Sequence, residues 1–367
     1  MEIETKTFKK MVSKAIKCSS NNNMIPLTQL ININYDPNIK QLRLITTDII
    51  NYMIVKEDII DDFDPINVTV KLNLLNKLLS KIKTKTIQLD EIDKELVITG
   101  SGISRLEVFV DDNGDPLKFP VRKINKEEIK YDTHYTFNFE NILANLSCIN
   151  EKILSEVNTQ FYFEDNLIVT NMDYAACFTT SPDSIENNLL ISYKLINLII
   201  ASSSNTGQII MDSKNIKIVM EDMEVIGPVA DNSLQYPIVS LLQIKNLPRN
   251  NKIVFNKSDM MEIIDRCLVF DNMFETKILN IEINPNCLGF VKVSNNHDQH
   301  MSNLELLGSE TVYSFVKTEN IKLSAESFKS LLSSNPNDTI NLCFSEGTKS
   351  PVSIDSDGVI QILVRFN

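Results

Sequence analysis

The stretch LRLITTD, Leu42 to Asp48, is echoed by LIVTNMD, Leu167 to Asp173: an apolar strand, a polar pair and an aspartate, 125 residues further on. A third apolar strand, LGFVKVS from Leu288 to Ser294, runs into a polar stretch whose Asp298 lies another 125 residues along. Two such strands could arise by chance. Three at one spacing in 367 residues point to a domain present in three copies.

Helical periodicity recurs between these strands. Phe8, Met11, Val12, Ala15 and Ile16 fall at i, i+3, i+4, i+7 and i+8, one apolar stripe on a helix. Leu75, Leu78, Leu79 and Ile82 repeat the stripe, as do Phe139, Ile142, Leu143 and Leu146. Further bursts run through Leu195, Leu198 and Ile199, through Met260, Ile264 and Cys267, and through Ala325, Phe328 and Leu331. Stretches with two-residue alternation separate them, such as Arg105 to Val110 and Asn215 to Met220. Six units of a helix plus about four strands make an α+β architecture with internal repetition.

The seams repeat too. Leu117 to Ile124 (LKFPVRKI) and Leu234 to Leu241 (LQYPIVSL) share an aromatic–proline pair. A residue before proline favours extended or turn backbone, which suits a handover between domains. Boundaries near 125 and 247 follow: three domains, 1–125, 126–247 and 248–367, each with two helices packed on antiparallel sheet.

The composition is that of a folded, soluble protein, with 43% hydrophobic and 23% charged residues. No signal peptide or membrane span is expected. Six scattered cysteines without a CxxC pair suggest buried thiols in a reducing compartment. A net charge of −12 argues against simple coating of nucleic acid. The charges are nevertheless sorted by segment. Residues 5–17 hold Lys6, Lys9, Lys10, Lys14 and Lys17 and no acid, and residues 71–85 hold five further lysines and no acid.

Order and spacing together resemble the bacterial-type DNA polymerase sliding clamp, the β subunit family. The resemblance rests on the opening helix 5–17 followed by Ile25-Pro-Leu-Thr-Gln-Leu, the TTD strand, and Gly100 to Arg105. The Phe119–Pro120 and Tyr236–Pro237 seams, Asp212 to Lys217, and the end Ile362 to Asn367 complete it. It implies the DNA clamp fold: three repeated clamp domains per chain and a head-to-tail homodimer closing into a ring with helices lining the hole.

The resemblance also implies three sites. Lysines facing duplex DNA, without reading its sequence, would be Lys9, Lys10, Lys14, Lys17, Lys77, Lys81, Lys194 and Lys257. Later helices carry few basic groups, so this lining is expected to be basic chiefly in the first domain. A groove for peptides of the polymerase, the clamp loader and other partners would involve Met172, Tyr174, Ala175, Ala176 and Cys177. Pro237, Leu241, Leu242 and Ile362 complete that groove. Tyr174-Ala-Ala-Cys177 departs from the family's Gly-His-Arg-Leu, which separates the groove's location from its peptide preference. Ring closure would involve Leu106, Val108, Val269 and Phe270.

Nothing points to catalysis. The chain has nine glycines and no P-loop or GxSxG. His297 and His300 have no evident third ligand, so no metal or cofactor is expected. Asp48 and Asp173, as repeat copies, read as turn or cap residues rather than paired catalytic carboxylates. The expectation is a non-catalytic processivity factor in the cytoplasm of a bacterium or phage-infected host. The alternative is a clamp-fold interaction scaffold that does not encircle DNA.

Overall fold

The computed structural model describes residues 1–20, 24–113, 117, 119–149, 156–172, 174–231, 234–269, 277–287, 289–295, 304–312, 317–347 and 350–366. They divide into two compact units, Met1–Phe137 with Lys194–Val229, and Asn138–Tyr193 with Ala230–Asn367.

The first unit contains two antiparallel sheets. One has four strands, in the order β1 (Glu2–Glu4), β6 (Thr86–Ile92), β7 (Glu95–Thr99), β8 (Ile103–Glu107). The other begins β5 (Ile66–Lys71), β2 (Leu30–Asp36), β3 (Gln41–Thr47), β4 (Tyr52–Asp58). It continues with β14 (Met223–Pro228), β13 (Asn215–Met220), β12 (Thr206–Met211) and β9 (Tyr131–Thr136). The second unit is built on one ten-stranded sheet. Its first five strands are β10 (Gln160–Met172), β11 (Ala175–Ser192), β22 (Val359–Leu363), β21 (Val352–Ser356) and β20 (Thr339–Phe344). β15 (Asn251–Asn256), β18 (Leu304–Val312), β17 (Phe290–Asn295), β16 (Ile278–Ile283) and β19 (Glu319–Ser324) follow.

These orders carry the repetition. β1-β6-β7-β8, β9-β12-β13-β14 and β15-β20-β21-β22 are one pattern three times over. β5-β2-β3-β4 and β19-β16-β17-β18 are a second pattern. Between them lies β10 paired with β11, two long strands whose register shifts between Phe163 and Leu167, where the other copies have four separate strands. LRLIT lies in β3, LIVTNM ends β10, and FVKVS lies in β17. Asp48 closes a turn as its type suggests: its carboxylate accepts from the backbone N–H of Ile50 at 3.0 Å and of Asn51 at 2.6 Å. Asp173 and Asp298 lie outside the described residues.

The seven α-helices of the described residues follow their apolar spacing, with one addition. α1 (Thr5–Ala15) buries Phe8, Met11, Val12 and Ala15, and α2 (Leu72–Lys81) buries Leu72, Leu75 and Leu79. Each larger apolar side chain so buried contributes roughly 2 kcal/mol. α3 (Phe139–Leu146) is capped by Asn138, which accepts from the Asn141 N–H at 3.2 Å. α4 (Tyr193–Ile199) buries Leu195, Ile196, Leu198 and Ile199. α5 (Ile238–Lys245) is the addition: apolar almost all round, it has no stripe from which to be read. α6 (Lys257–Val269) and α7 (Ala325–Ser334) pack together in the second unit, α7 capped by Ser324. No helix of the described residues is long and apolar enough to cross a membrane.

Candidate functional site

In the second unit, α5 lies over one face of the sheet where β11 pairs with β22. Pro237 stands at its N-cap and is exposed. At its other end the Arg249 guanidinium donates to the carbonyls of Ile244 at 2.8 Å and Lys245 at 3.1 Å, satisfying acceptors the helix leaves open. The helix presses Leu241 onto an apolar cluster formed by Tyr162, Val169, Ala176, Phe178 and Ile362. Tyr236 stacks on Tyr162 with centroids 4.9 Å apart and donates its hydroxyl to the Val169 carbonyl at 3.1 Å. The Lys245 ammonium stands 5.7 Å over the Phe178 ring.

The expected groove residues divide by strand alternation. Ala176, Leu241, Leu242 and Ile362 meet in this cluster. Ala175 and Cys177 point to the opposite face, into the main core of the unit, and Met172 packs there too. Tyr174 sits at the β10–β11 turn, 42% exposed, with its ring 5.2 Å from that of Phe366. Val239 (68% exposed) and Val364 (44%) add apolar surface. Tyr162, Val169 and Phe178 were not foreseen, although two-residue alternation from Ala176 and Leu167 leads to the last two.

The tail that supplies Ile362 and Val364 is anchored by a buried ion pair. Arg365 donates to Glu319 at 2.6 Å and to the Asn320 carbonyl at 2.8 Å. Burial pushes the Tyr236 phenol well up, and burial together with Glu164 pushes Tyr162 up to about 12. Both rings stay neutral near pH 7. The surface can take apolar side chains.

The lysines fall into two groups. Lys10, Lys17, Lys77 and Lys81 are exposed on α1, on the 3-10 turn after it and on α2 of the first unit, and Lys194 is exposed on α4. Lys9 and Lys14 are engaged within the fold. The Lys9 ammonium donates to the carbonyl of Ile82, the C-cap of α2, at 2.7 Å, and Lys14 is ion-paired with Asp222. Lys257 does the same for α7, donating to the carbonyl of its C-cap Asn335 at 3.0 Å. The exposed side of α6 carries Asp259, Glu262 and Asp265; Arg266 pairs with Glu262 and Lys329 of α7 with Asp265, so an acidic excess remains.

Two stretches of open strand edge stand out. β8 pairs only with β7, leaving its outer edge open among the described residues, with Ile103 69% exposed and Leu106 half-buried. Val108, just beyond it, is buried. In the second unit, Leu304 to Gly308 of β18 pair with β17 alone, since β15 takes only Ser309 to Val312. Leu304 (64% exposed) and Leu306 (60%) project there, and Val269 at the end of α6 is 76% exposed. Arg266 grips Glu305 with two bonds of 2.7 Å, tying α6 to that strand. Phe270 lies outside the described residues. Ile103, Leu304 and Leu306 escaped the sequence reading.

Among the described residues no group of three or more His, Cys, Asp or Glu side chains could hold a metal ion. His297 and His300 lie outside the described residues.

The fold has close counterparts. The DNA polymerase III beta subunit of Thermotoga maritima superposes with a TM-score of 0.80 at 15% identity, over 100% of this chain and 98% of that one. The beta subunit from the DNA polymerase of Streptococcus pyogenes gives 0.80 at 13%, over 100% and 99%. The DNA polymerase sliding clamp of Bacillus subtilis gives 0.78 at 12%, over 100% and 98%. No protein-family model matches the sequence, and no curated protein sequence matches it. The chain has the sliding-clamp fold.

Proposed function

We propose that this chain, built on the sliding-clamp fold over its full length, is a non-catalytic DNA clamp. Two copies close head to tail into a ring around duplex DNA and tether a polymerase. The repeat units are the three stretches 1–125, 126–247 and 248–367. The observation that carries this reading is the exposed lysine set on α1, α2 and the turn after α1, within a fold shared end to end with DNA polymerase beta subunits. A ring needs no tight contact, and mobile lysines hold a diffuse positive potential over phosphates without fixing register. The open edges of β8 and β18, with Ile103, Leu106, Leu304, Leu306 and Val269, suit a contact between unlike surfaces of two copies. The α5 surface suits an apolar anchor from the polymerase, the clamp loader or another partner. Its place of action is the cytoplasm of a bacterium or phage-infected host.

The acidic side of α6 favours a second reading: a scaffold of the same fold that recruits proteins through the α5 surface and does not encircle DNA. Light scattering and retention on circular against linearised DNA at moderate salt separate the two. A dimer held on circles and lost from linear ends establishes the clamp. A monomer, or a dimer that leaves both DNAs alike, establishes the scaffold.

A further inference from the structure

A cavity of about 410 Å³ opens in the first unit beneath the segment that follows the Phe119–Pro120 seam. Its floor is sheet: Ile54 of β4, Ile210 of β12 and Ile226 of β14. Its roof is Val121, Ile124 and Ile129. The roof is fastened on both sides. The Asn125 N–H donates to the Asp212 carboxylate at 2.7 Å, and the Lys130 N–H to the Met211 carbonyl at 2.8 Å. The hole is therefore preformed, and its volume falls in the range of ordinary ligand sites.

Its charges are one-sided. Arg122, Lys123, Lys126 and Lys217 line it against a single acid, Glu224. That acid is already satisfied, by Lys217 at 2.6 Å and Lys56 at 3.2 Å. Four cations against one carboxylate leave an excess of three, on a chain whose net charge is −12. Arg122 is held in place by a 3.1 Å bond to Asn215. The setting also has a counterpart in the second unit. There the seam Tyr236–Pro237 leads into α5, which covers the sheet face where β11 pairs with β22. Here the seam leads into an irregular segment with one 3-10 turn, Lys126–Glu128, and leaves the cavity over the sheet where β4 pairs with β14.

We propose that this cavity is a second docking site, distinct from the α5 surface, and that its occupant is a short acidic–apolar segment of a partner protein. Aliphatic or aromatic side chains enter between Ile54, Ile210 and Ile226, and flanking carboxylates meet Arg122, Lys123 and Lys126. An excess of three positive charges exceeds what a single-headed amphiphile such as a fatty acid neutralises, so the occupant is a peptide with several carboxylates. The inference goes beyond the clamp reading and requires neither a ring nor DNA.

The protein has no tryptophan, so Ile129→Trp, at a position already 40% exposed, places a single fluorophore at the roof. The probes are the N-acetylated, C-amidated peptides DLLDLLD and KLLKLLK, with dodecanoate as a third. The expected result is a saturable emission shift with the acidic peptide, at least tenfold tighter than with its lysine counterpart. Arg122→Glu with Lys126→Glu should weaken it by tenfold or more, and Leu242→Asp on α5 should leave it unchanged. Isoleucine methyl shifts at Ile54, Ile210 and Ile226 in the unsubstituted protein give the same reading without the reporter. No saturable response to the acidic peptide, equal responses to both peptides, or saturation by dodecanoate alone would overturn the proposal. None of these readouts is DNA retention or oligomeric state, so this site and the clamp reading stand or fall separately.

Discussion

Lys14 and Asp222, 208 residues apart in sequence, form an ion pair that fastens α1 to the turn between β13 and β14. The same carboxylate accepts from the Ser202 hydroxyl at 2.6 Å and the Ser203 N–H at 3.0 Å. Burial alone would raise the Asp222 carboxyl. Hydrogen bonds from Lys14, Ser202 and Ser203 outweigh it and hold the group well below the usual carboxylate range. Because the folded value is depressed, the stabilisation is fully present above about pH 4 and is lost as pH falls towards the folded value. Asp222→Asn should cost about 2 kcal/mol at pH 7 in urea unfolding. It should also flatten the acid limb of the stability profile; an unchanged limb would refute the assignment.

Exposed and engaged lysines should separate in function. Reversing Lys10, Lys17, Lys77 and Lys81 to Glu should weaken retention on circular DNA at low salt and shrink its salt dependence, by about 0.9 in log–log slope for each phosphate no longer neutralised. Lys14→Met should instead lower the melting temperature and leave the salt slope as it is. Equal effects of the two changes on retention would contradict the division.

The open edges should govern assembly. Leu306→Arg and Ile103→Arg each place a charge on an edge that pairing would bury. Either should convert a dimer into the 41.7 kDa chain by light scattering, with a native circular dichroism spectrum. A dimer that survives both substitutions would move the contact elsewhere.

The α5 surface should select apolar peptides. A random peptide library panned on the protein should return segments with paired apolar residues, and Leu242→Asp should abolish their recovery. Arg365→Met should weaken recovery about tenfold and lower stability, because the tail carrying Ile362 and Val364 loses its anchor on Glu319.

The thiols report on packing. Burial pushes Cys18 up to about 12, with Asp48 adding to the effect, and burial followed by Asp355 does the same for Cys343. Cys177 is raised well above its ordinary value by full burial and by Cys148. Cys287, partly exposed, should therefore be the one fast thiol towards Ellman's reagent at pH 8, and Cys287→Ser should remove that phase.

Much of the fold was legible because strands and helices write their own periods. β3 and β17 alternate, and α1 and α2 carry clean apolar stripes, so local sequence suffices for them. What escaped depends on distant partners or on the absence of a stripe. α5 is apolar nearly all round, which hides its period. Lys14 reads as a surface lysine until Asp222 is brought beside it. Ala175 and Cys177 share a motif with Ala176, yet strand alternation sends them to the opposite face. Leu304 and Leu306 look like core until the burial of Leu307 and Ser309 fixes the alternation of β18 and turns the two leucines to the opposite face.

The open edges of β8 and β18 are dissimilar, one flanked by Arg105 and Glu107, the other by Glu305 held on Arg266. A copy that joined its neighbours through both edges, as the proposed ring requires, would also be the monomer of a polymer, and only the rotation built into each contact decides whether growth stops at a closed cycle or runs on as a filament. In the proposed ring, twist in these strands would act as a chain terminator: a substitution that changes the angle without weakening the contact would turn the closed assembly into fibres that lengthen with concentration.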